Sequence, residues 1–286
     1  MRLFNALALE ITSSCNRRCK FCPVSYSPRK HERLPWHLIE KACEELVVLR
    51  FKGRLALCIY NEPLKDKDYL LEVLEYFKKK APRITLMVAT NGDYLTGARG
   101  INELFDAGLN QLMLNGYTKK RFKMLSGWAA KVPKLGAYNI YGTTPRCARN
   151  LVVCDKSDIS KLTRGLLRFQ NRAGAVPGFL PPMKSPLKKM CVKPFRMLNI
   201  NWEGQGVLCC NDYYGEVVLG NFFEKSLEQI WDSPILNMYR KALLEKDRSL
   251  PLCCYCDSVV GAYPHLVDTN FGKASDPRLY RKRTKV

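Results

Sequence analysis

Short apolar runs alternate with longer segments of helical periodicity through the first half of the chain. The short runs predict strands at 7–12, 54–60, 84–89, 111–114 and 137–141. Apolar residues spaced three or four apart predict helices between them, at 36–49, 68–80, 101–107, 119–125 and 159–171. Because strands and helices alternate, the pattern favours parallel βαβ units and an α/β fold.

The pattern changes near residue 175. Proline- and glycine-rich stretches at 175–178 and 180–182 are typical of a linker or crossover loop. Beyond them, two short apolar runs at 199–202 and 207–210 flank a Gly-containing turn and predict a hairpin, followed by helices at 226–231 and 234–244. We therefore expect two domains, at 1–185 and at 186–286, the second ending in a basic tail.

Polar side chains follow each of the first four predicted strands. Three cysteines come after the first strand, and Glu62, Asn91 and Asn115 follow the next three in turn. In parallel α/β barrels, chemistry collects at the carboxyl ends of the strands. These residues are therefore expected to share one edge of the sheet.

The three cysteines are Cys15, Cys19 and Cys22, in the spacing C-x3-C-x2-C. Iron–sulfur clusters are normally held by four thiolates. Three thiolates leave one iron open, as catalytic zinc sites keep one open position. A zinc knuckle is the main alternative, and His31 or His37 would then supply the fourth ligand.

A second cysteine set lies in the C-terminal third. One cysteine precedes the predicted hairpin, one lies on its return strand, and a C-x2-C pair follows a helix: Cys191, Cys209, Cys253 and Cys256. Four such cysteines can converge on one cluster or on a structural zinc ion. Cys210 and Cys254 are adjacent to members of this set, and the sequence leaves open whether either replaces its neighbour as a ligand.

Composition narrows the class of protein. Thirteen cysteines without a secretory signal indicate metal ligation in a reducing compartment, so we expect a cytoplasmic protein. A hydrophobic fraction of 47% excludes global disorder, and no apolar run reaches the length of a membrane span. Only three histidines are present, which argues against a histidine-based hydrolase.

The net charge of +21 is unevenly distributed. Between Ala107 and Trp202 there are eighteen Lys or Arg and two acids. This excess predicts either a solvated basic surface or a face that attracts an anionic substrate, RNA or an acidic partner. Nucleic acid is not favoured, because the aromatic residues of this stretch are too scattered for a stacking platform.

Two segments resemble a known family. The C-x3-C-x2-C loop, with Phe21 before its last cysteine, resembles the radical SAM superfamily. The segment 191–256 resembles its SPASM/Twitch domains through Cys-Val-Lys-Pro-Phe at 191–195, Gly-Val-Leu-Cys-Cys-Asn-Asp-Tyr at 206–213 and Leu-Gly-Asn at 219–221. The resemblance implies a partial (β/α)6 radical SAM barrel followed by a small α+β Twitch/SPASM domain.

The resemblance also implies the cofactors: two 4Fe-4S clusters and S-adenosyl-L-methionine. Cys15, Cys19 and Cys22 would hold the first cluster. The residues that would contact S-adenosyl-L-methionine are Phe21, Glu62, Asn91 and Asn115. The second cluster would be held by Cys191, Cys209, Cys253 and Cys256. Glu62 corresponds to the acid of the family's Gly-Gly-Glu pattern, but the segment departs from that pattern because Tyr60 and Asn61 replace the two glycines. An external one-electron reductant, flavodoxin or ferredoxin, would supply the electron.

The implied function is hydrogen abstraction by a 5′-deoxyadenosyl radical from a carbohydrate-type or anionic small molecule. In the aminocyclitol-dehydrogenase branch of the family, the auxiliary cluster accepts the second electron. In the aminoglycoside-epimerase branch, a thiol quenches the substrate radical, and Cys254 is the candidate here. Alternatives are modification of a ribosomally made peptide, by epimerisation or crosslinking, and a non-catalytic iron–sulfur or zinc protein that binds RNA.

Overall fold

The computed structural model describes residues 3–133, 149–158, 170–180 and 183–258. Strands and helices alternate through its first part: β1 (Ala6–Leu9), α1 (Trp36–Val48), β2 (Arg54–Ala56), α2 (Lys67–Lys80), β3 (Thr85–Thr90), α3 (Ala98–Asp106), β4 (Gln111–Gly116), α4 (Lys119–Ala129) and β5 (Asn150–Asp155). The later elements are α5 (Lys193–Arg196), β6 (Met197–Ile200), β7 (Gln205–Val207), β8 (Val218–Asn221), α6 (Leu227–Trp231) and α7 (Pro234–Leu244).

The described strands form one sheet in the order β5-β4-β3-β2-β1-β6-β7-β8. Every pair from β5 to β6 is parallel, and β6, β7 and β8 pair antiparallel. The described sheet does not close on itself. This arrangement confirms the predicted α/β class and the partial barrel.

The two faces of the sheet differ in side-chain size. Leucine and valine at alternate strand positions, such as Leu7, Leu55 and Val88, are fully buried and pack against the helices. The opposite face carries mainly small or flexible side chains: Ala8, Ala56 and Met87, with Ala89, Met113 and Met197 packed around them. A strand alternates its side chains between two faces, so one face builds the core and the other leaves room for a ligand.

Helix α2 shows how the helical pattern builds the core. Leu70, Val73, Leu74 and Phe77 recur at three- and four-residue spacing and are fully buried. Three lysines close the last turn, where positive charge complements the helix dipole. This helix therefore packs on the sheet through one apolar stripe and exposes a charged opposite face.

The structure differs from the expected elements at several places; β2, for example, ends at Ala56, four residues before its predicted end. The fifth described strand is Asn150–Asp155, which the sequence analysis missed, and it pairs with β4 along six positions. The strand predicted at 137–141 lies outside the described residues, as does most of the helix predicted at 159–171; residues 170–171 are described and are not helical. The short apolar run Leu-Val-Val-Cys at 151–154, with two β-branched valines, is the signal that identifies this strand.

The predicted hairpin is present, but both strands lie about two residues earlier than expected and the second strand is shorter. Its first strand, β6, pairs in parallel with β1 as well as antiparallel with β7. Gly204 turns the chain at φ +74, and a Cβ at Gly206 would lie 2.3 Å from Cγ2 of Ile230. Glycine is required at both positions, and the hairpin extends the parallel sheet.

Candidate active site

The cysteine loop begins where β1 ends and is closed by its own backbone turns. The Cys22 amide donates to the Cys19 carbonyl at 2.9 Å, and the Ser25 hydroxyl donates to the same carbonyl at 2.6 Å. Arg18 donates to the Cys15 carbonyl at 2.9 Å. These bonds fold the loop and leave its three thiols partly exposed.

Burial governs the ionisation of the three thiols. Burial, together with the neighbouring Cys22 and Cys15, raises the pKa of Cys19 to about 11. Burial likewise raises the pKa values of Cys15 and Cys22. Metal ligation requires thiolates, so the positive charge of a bound metal or cluster would have to offset this burial.

Phe21 covers one side of the loop. Its ring stacks on Tyr117 with centroids 5.5 Å apart and lies 6.1 Å from the ring of Phe179. It also packs against Cys19 and Cys22. This aromatic cluster shields the cysteine loop from solvent on the side of β4.

Glu62 lies at the same edge, after β2, and is 2% exposed. Its carboxylate accepts hydrogen bonds from the Thr90 hydroxyl at 2.5 Å and from the backbone amides of Asn91 at 2.8 Å and Leu64 at 3.1 Å. Burial raises the pKa of Glu62 to about 7, and these hydrogen bonds oppose the rise. Glu62 forms no ion pair with any described residue, so a cationic ligand group would complete its environment.

Asn91 joins the loop after β3 to the cysteine loop. Its side-chain amide donates to Oδ1 of Asn16 at 2.8 Å, and its own Oδ1 accepts the Asp93 amide at 2.8 Å. Asp93 in turn binds the Arg17 guanidinium through two contacts of 2.6 Å. The Asn91 side chain therefore acts as a clamp between the two loops.

Asn115 has a different environment at the end of β4. Its side-chain amide donates to the Thr90 carbonyl at 3.2 Å, while its Oδ1 is buried and has no hydrogen-bond partner among the described residues. Buried polar atoms normally have a partner. Asn115 Oδ1 and the similarly unpartnered Asn199 Oδ1 are therefore acceptors available to a hydroxyl-bearing ligand.

Glu10 is a site residue that the sequence analysis missed. It follows β1, is 1% exposed, and pairs with Arg29 at 2.9 Å. It also accepts the Tyr60 amide at 2.9 Å, and Arg29 donates to the Tyr213 carbonyl at 2.6 Å. Burial raises the pKa of Glu10, and Arg29 opposes the rise. An acid directly after an apolar strand was the available signal, and this pair joins the cysteine loop to both parts of the chain.

Lys156 is a second missed residue, at the carboxyl end of β5. Its Nζ lies 5.8 Å from the centroid of the Tyr117 ring, beside the aromatic cluster on the cysteine loop. Burial lowers the pKa of Lys156, and Arg172 lowers it further, while Cys154 and Cys19 raise it. At least part of the basic middle stretch therefore faces the interior.

The four cysteines of the second set line one small cavity of about 20 Å³. The cavity also touches Asn211, whose amide donates to Cys209 Sγ at 3.4 Å, and Ser258, whose amide donates to Cys256 Sγ at 3.4 Å. Among the described residues, no three His, Cys, Asp or Glu side chains form a compact metal-binding group. The structure therefore brings Cys191, Cys209, Cys253 and Cys256 to one cavity without packing them around a single point.

Cys210 and Cys254 are not among the described residues that line this cavity. Burial raises the pKa of Tyr60, and Cys210 is among the neighbours that raise it further. Tyr60 belongs to a buried cluster against which Cys15 and Cys22 pack, so Cys210 and the cysteine loop both lie near this cluster. Cys254 instead lies near Tyr239 on α7. Burial raises the pKa of Tyr239 to about 12, and Cys254 is one of the neighbours that contribute to this rise.

Comparison with known proteins identifies both cysteine regions. A family model described as the radical SAM superfamily matches residues 9–118, and one described as an iron–sulfur cluster-binding domain (SPASM) matches residues 191–257. The S-adenosyl-L-methionine-dependent 2-deoxy-scyllo-inosamine dehydrogenase of Niallia circulans is 28% identical over 263 residues, covering 90% of this chain and 94% of that protein.

Two solved structures share the fold. The crystal structure of BtrN in complex with AdoMet and 2-DOIA aligns with a TM-score of 0.72 at 25% identity, over 91% of this chain and 96% of that one. BtrN in an open conformation aligns with a TM-score of 0.65 at 22% identity, over 93% and 98% of the two chains. None of the described helices has both the length and the apolar character that a bilayer span requires.

Proposed function

Because the chain belongs to the radical SAM superfamily and carries a SPASM domain, we propose that it dehydrogenates a carbohydrate-type small molecule. The observation that carries this proposal is the single cavity shared by Cys191, Cys209, Cys253 and Cys256. A second cluster at that cavity would provide an acceptor for the second electron. The similarity to a 2-deoxy-scyllo-inosamine dehydrogenase over 90% of the chain supports the same reaction class.

The donor sets fit two 4Fe-4S clusters. When bound, the first cluster and S-adenosyl-L-methionine supply a 5′-deoxyadenosyl radical that removes hydrogen from an unactivated C–H bond. Cys15, Cys19 and Cys22 would be its three ligands. A structural zinc ion needs sulfurs about 2.3 Å from one point, and among the described residues the other four thiols form no such compact group.

The remaining site residues would bind and orient the ligands. Glu62 would accept a hydrogen bond from the methionyl ammonium, since its buried carboxylate forms no ion pair with a described residue. Asn115 would accept one from a ribose hydroxyl through its unpartnered Oδ1. Asn91 would hold the loops together, and Phe21 with its aromatic neighbours would exclude water.

The substrate is proposed to be a polyhydroxylated ring that carries an anionic group. Asn199 Oδ1 is a second buried acceptor, available to a substrate hydroxyl. Lys156 lies at the carboxyl end of β5, where positive charge would attract a carboxylate or phosphate. This distinguishes the proposed substrate from a polycationic aminoglycoside.

Epimerisation is a second candidate because the thiol of Cys210 lies near Tyr60, in the cluster that Cys15 and Cys22 contact. The position of Cys210 beside Tyr60 makes it a better-placed hydrogen donor than Cys254. Its S–H would give a hydrogen atom to the substrate radical, and one electron from the external reductant plus one proton from solvent would restore the thiol. The product would then carry one solvent hydrogen at carbon.

The reductant is proposed to be flavodoxin or ferredoxin, docking over the cysteine loop. Arg18 and Lys20 are exposed on that loop and would attract an acidic electron carrier. All twelve described cysteines are free thiols, which supports a cytoplasmic location. We also propose a domain boundary near residue 185, although β6, beyond it, shares the sheet with β1.

Anaerobic reconstitution tests the proposal. We expect about eight irons per chain and reductive release of 5′-deoxyadenosine. Incubation with polyhydroxylated ring compounds, with and without carboxylate or phosphate groups, should give a carbonyl product from one class. Zinc without deoxyadenosine release would refute the enzyme. Solvent deuterium at a product carbon, lost in Cys210→Ala, would establish epimerisation instead.

A further inference from the structure

The wall of the auxiliary cavity carries positive charge. Two of the described residues that line it are cations, Lys193 and Arg248, and none of the described lining residues is an acid. Arg248 is 2% exposed, while Lys193 lies two residues after Cys191, at the start of α5. The four cysteine ligands are anionic when they hold a cluster, so both cations lie against negative charge.

Lys193 is held towards the thiols by an amide bridge. Its Nζ donates to Oε1 of Gln170 at 3.4 Å, and the same oxygen accepts the side-chain amide of Asn211 at 3.0 Å. That amide also lies 3.5 Å from Cys256 Sγ. Gln170 and Asn211 are buried, so the network fixes the ammonium beside the sulfur-lined space.

Arg248, the second cation, binds backbone carbonyls. Its guanidinium donates to the carbonyls of Lys189 at 2.7 Å, Met190 at 3.2 Å and Ser258 at 2.7 Å. These bonds join the segment before Cys191 to the segment after Cys256. Arg248 therefore maintains the backbone of the site, and Lys193 is the cation that can be changed without removing this clamp.

A fixed positive charge favours the more negative oxidation state of a nearby cluster. Reduction adds one negative charge, and the attraction to an ammonium is strong where water is scarce. Cluster potentials depend on net charge and on hydrogen bonds to the sulfurs. The amides of Asn211 and Ser258 already donate to Cys209 and Cys256, which acts in the same direction.

We propose that Lys193 is a positioning residue for electron acceptance: its ammonium raises the reduction potential of the cluster held by the four auxiliary cysteines. The inference rests on the proposed dehydrogenation. In that reaction the substrate radical, a carbon bearing a hydroxyl, gives one electron to the auxiliary cluster and one proton to solvent, and a carbonyl remains. A higher potential makes this electron transfer more favourable.

Redox titration followed by electron paramagnetic resonance tests the inference on the reconstituted full chain. Replacing Cys15, Cys19 and Cys22 by alanine isolates the signal of the auxiliary cluster. In that background, Lys193→Met should lower the equilibrium constant for reduction about tenfold, which is about 59 mV for a one-electron couple. Lys193→Arg keeps the charge and should restore most of the shift.

The exposed Lys189 provides the matched control. Lys189→Met removes the same charge nearby but outside the cavity, and should leave the potential unchanged. Equal potentials in Lys193→Met and the parent would overturn the inference. If Lys193→Met loses the cluster, the reduction potentials of Lys193→Gln and Lys193→Arg are compared instead. Equal potentials in these two variants, or loss of the cluster from both, would make Lys193 a merely structural residue.

Reconstitution of the chain with its native cysteines separates this inference from the proposed function. If the protein that keeps Cys15, Cys19 and Cys22 takes up only about four irons, or takes up zinc and releases no deoxyadenosine, the two-cluster enzyme itself is contradicted. Parent protein with both clusters, whose Lys193 variants keep the parental potential, contradicts the role of Lys193 alone.

Discussion

The Glu62 carboxylate accepts a 2.5 Å hydrogen bond from the hydroxyl of Thr90, which ties the loop after β2 to the end of β3. The same carboxylate receives two backbone amides, so its position is fixed from three directions. Burial nevertheless raises its pKa to about 7. A carboxylate that is held in place and has a pKa near neutrality is suited to bind a cationic ligand group. Its affinity for that group should depend on pH, because protonation removes its charge.

Replacing Glu62 by glutamine should weaken S-adenosyl-L-methionine binding at least tenfold at pH 8, since hydrogen bonds to charged groups contribute about 1.5–3 kcal/mol. Affinity of the parent should be full above pH 7 and fall as the pH drops through about 7, because protonated Glu62 no longer attracts the ammonium. The glutamine variant should lack this pH dependence. Equilibrium dialysis of reconstituted protein between pH 5.5 and 8.5 measures both effects.

Glu103→Gln is the matched control, because Glu103 is an acid on α3 that pairs with Lys67 at the surface. It should bind the cofactor like the parent at every pH. A pH-independent affinity in the parent would contradict the assignment of Glu62.

The cavity lining predicts which adjacent cysteines are ligands. Cys209→Ala and Cys253→Ala should each lose the auxiliary cluster, because both side chains line the cavity. Cys210→Ala and Cys254→Ala should keep about eight irons per chain, since neither lines it. Iron and sulfide analysis after anaerobic reconstitution separates the two pairs, and loss of about four irons from Cys210→Ala would show that the ligand assignment is wrong.

The sequence predicted those features that depend on local spacing. The loop of Cys15, Cys19 and Cys22 follows an apolar strand, and helix α7 begins and ends where the periodicity placed it. The spacing of apolar residues and the residue types that form turns are local properties, so one amino-acid sequence is enough to recognise them. The C-x2-C pair and the hairpin cysteine were recognised for the same reason.

Features that depend on contacts between distant segments were not predicted. The ion pair of Glu10 with Arg29 joins residues 19 apart, and the parallel pairing of β6 with β1 joins segments almost 200 residues apart. Which of Cys209 and Cys210 faces the cavity depends on the twist of the chain after β7. Tertiary packing determines such pairings and side-chain orientations, and they cannot be predicted from the local sequence pattern.

The pair of Glu10 and Arg29 is expected to support the fold strongly. Replacing Arg29 by methionine leaves a 1% exposed carboxylate without its cation, which typically costs about 3–5 kcal/mol. Burial already raises the pKa of Glu10 and Arg29 opposes the rise, so its removal raises that pKa further. The loss of stability should therefore be larger at pH 8, where the carboxyl must lose its proton, than at pH 5.

Thermal unfolding at both pH values measures this effect. Lys67→Met breaks the surface pair with Glu103 and should cost less than about 1 kcal/mol. Equal losses in Arg29→Met and Lys67→Met would mean that the buried pair does not stabilise the junction between the cysteine loop and the rest of the site.

Gly116 sets the distance between β4 and α4. A Cβ there would lie 2.6 Å from Cα of Phe122, a backbone atom that cannot rotate away. Gly116→Ala should therefore destabilise the protein by about 1–3 kcal/mol, the usual cost of overpacking.

The same strain should reach the cofactor site, because Gly116 lies between Asn115 and Tyr117. We expect Gly116→Ala to weaken S-adenosyl-L-methionine binding as well as lower the melting temperature. Gly127, on the exposed side of α4, has no atom within 4 Å of its virtual Cβ. Gly127→Ala should raise stability by up to about 1 kcal/mol and leave binding unchanged, since alanine favours the helix and touches nothing. If both alanine variants bind the cofactor equally well, the spacing of β4 and α4 does not position Asn115.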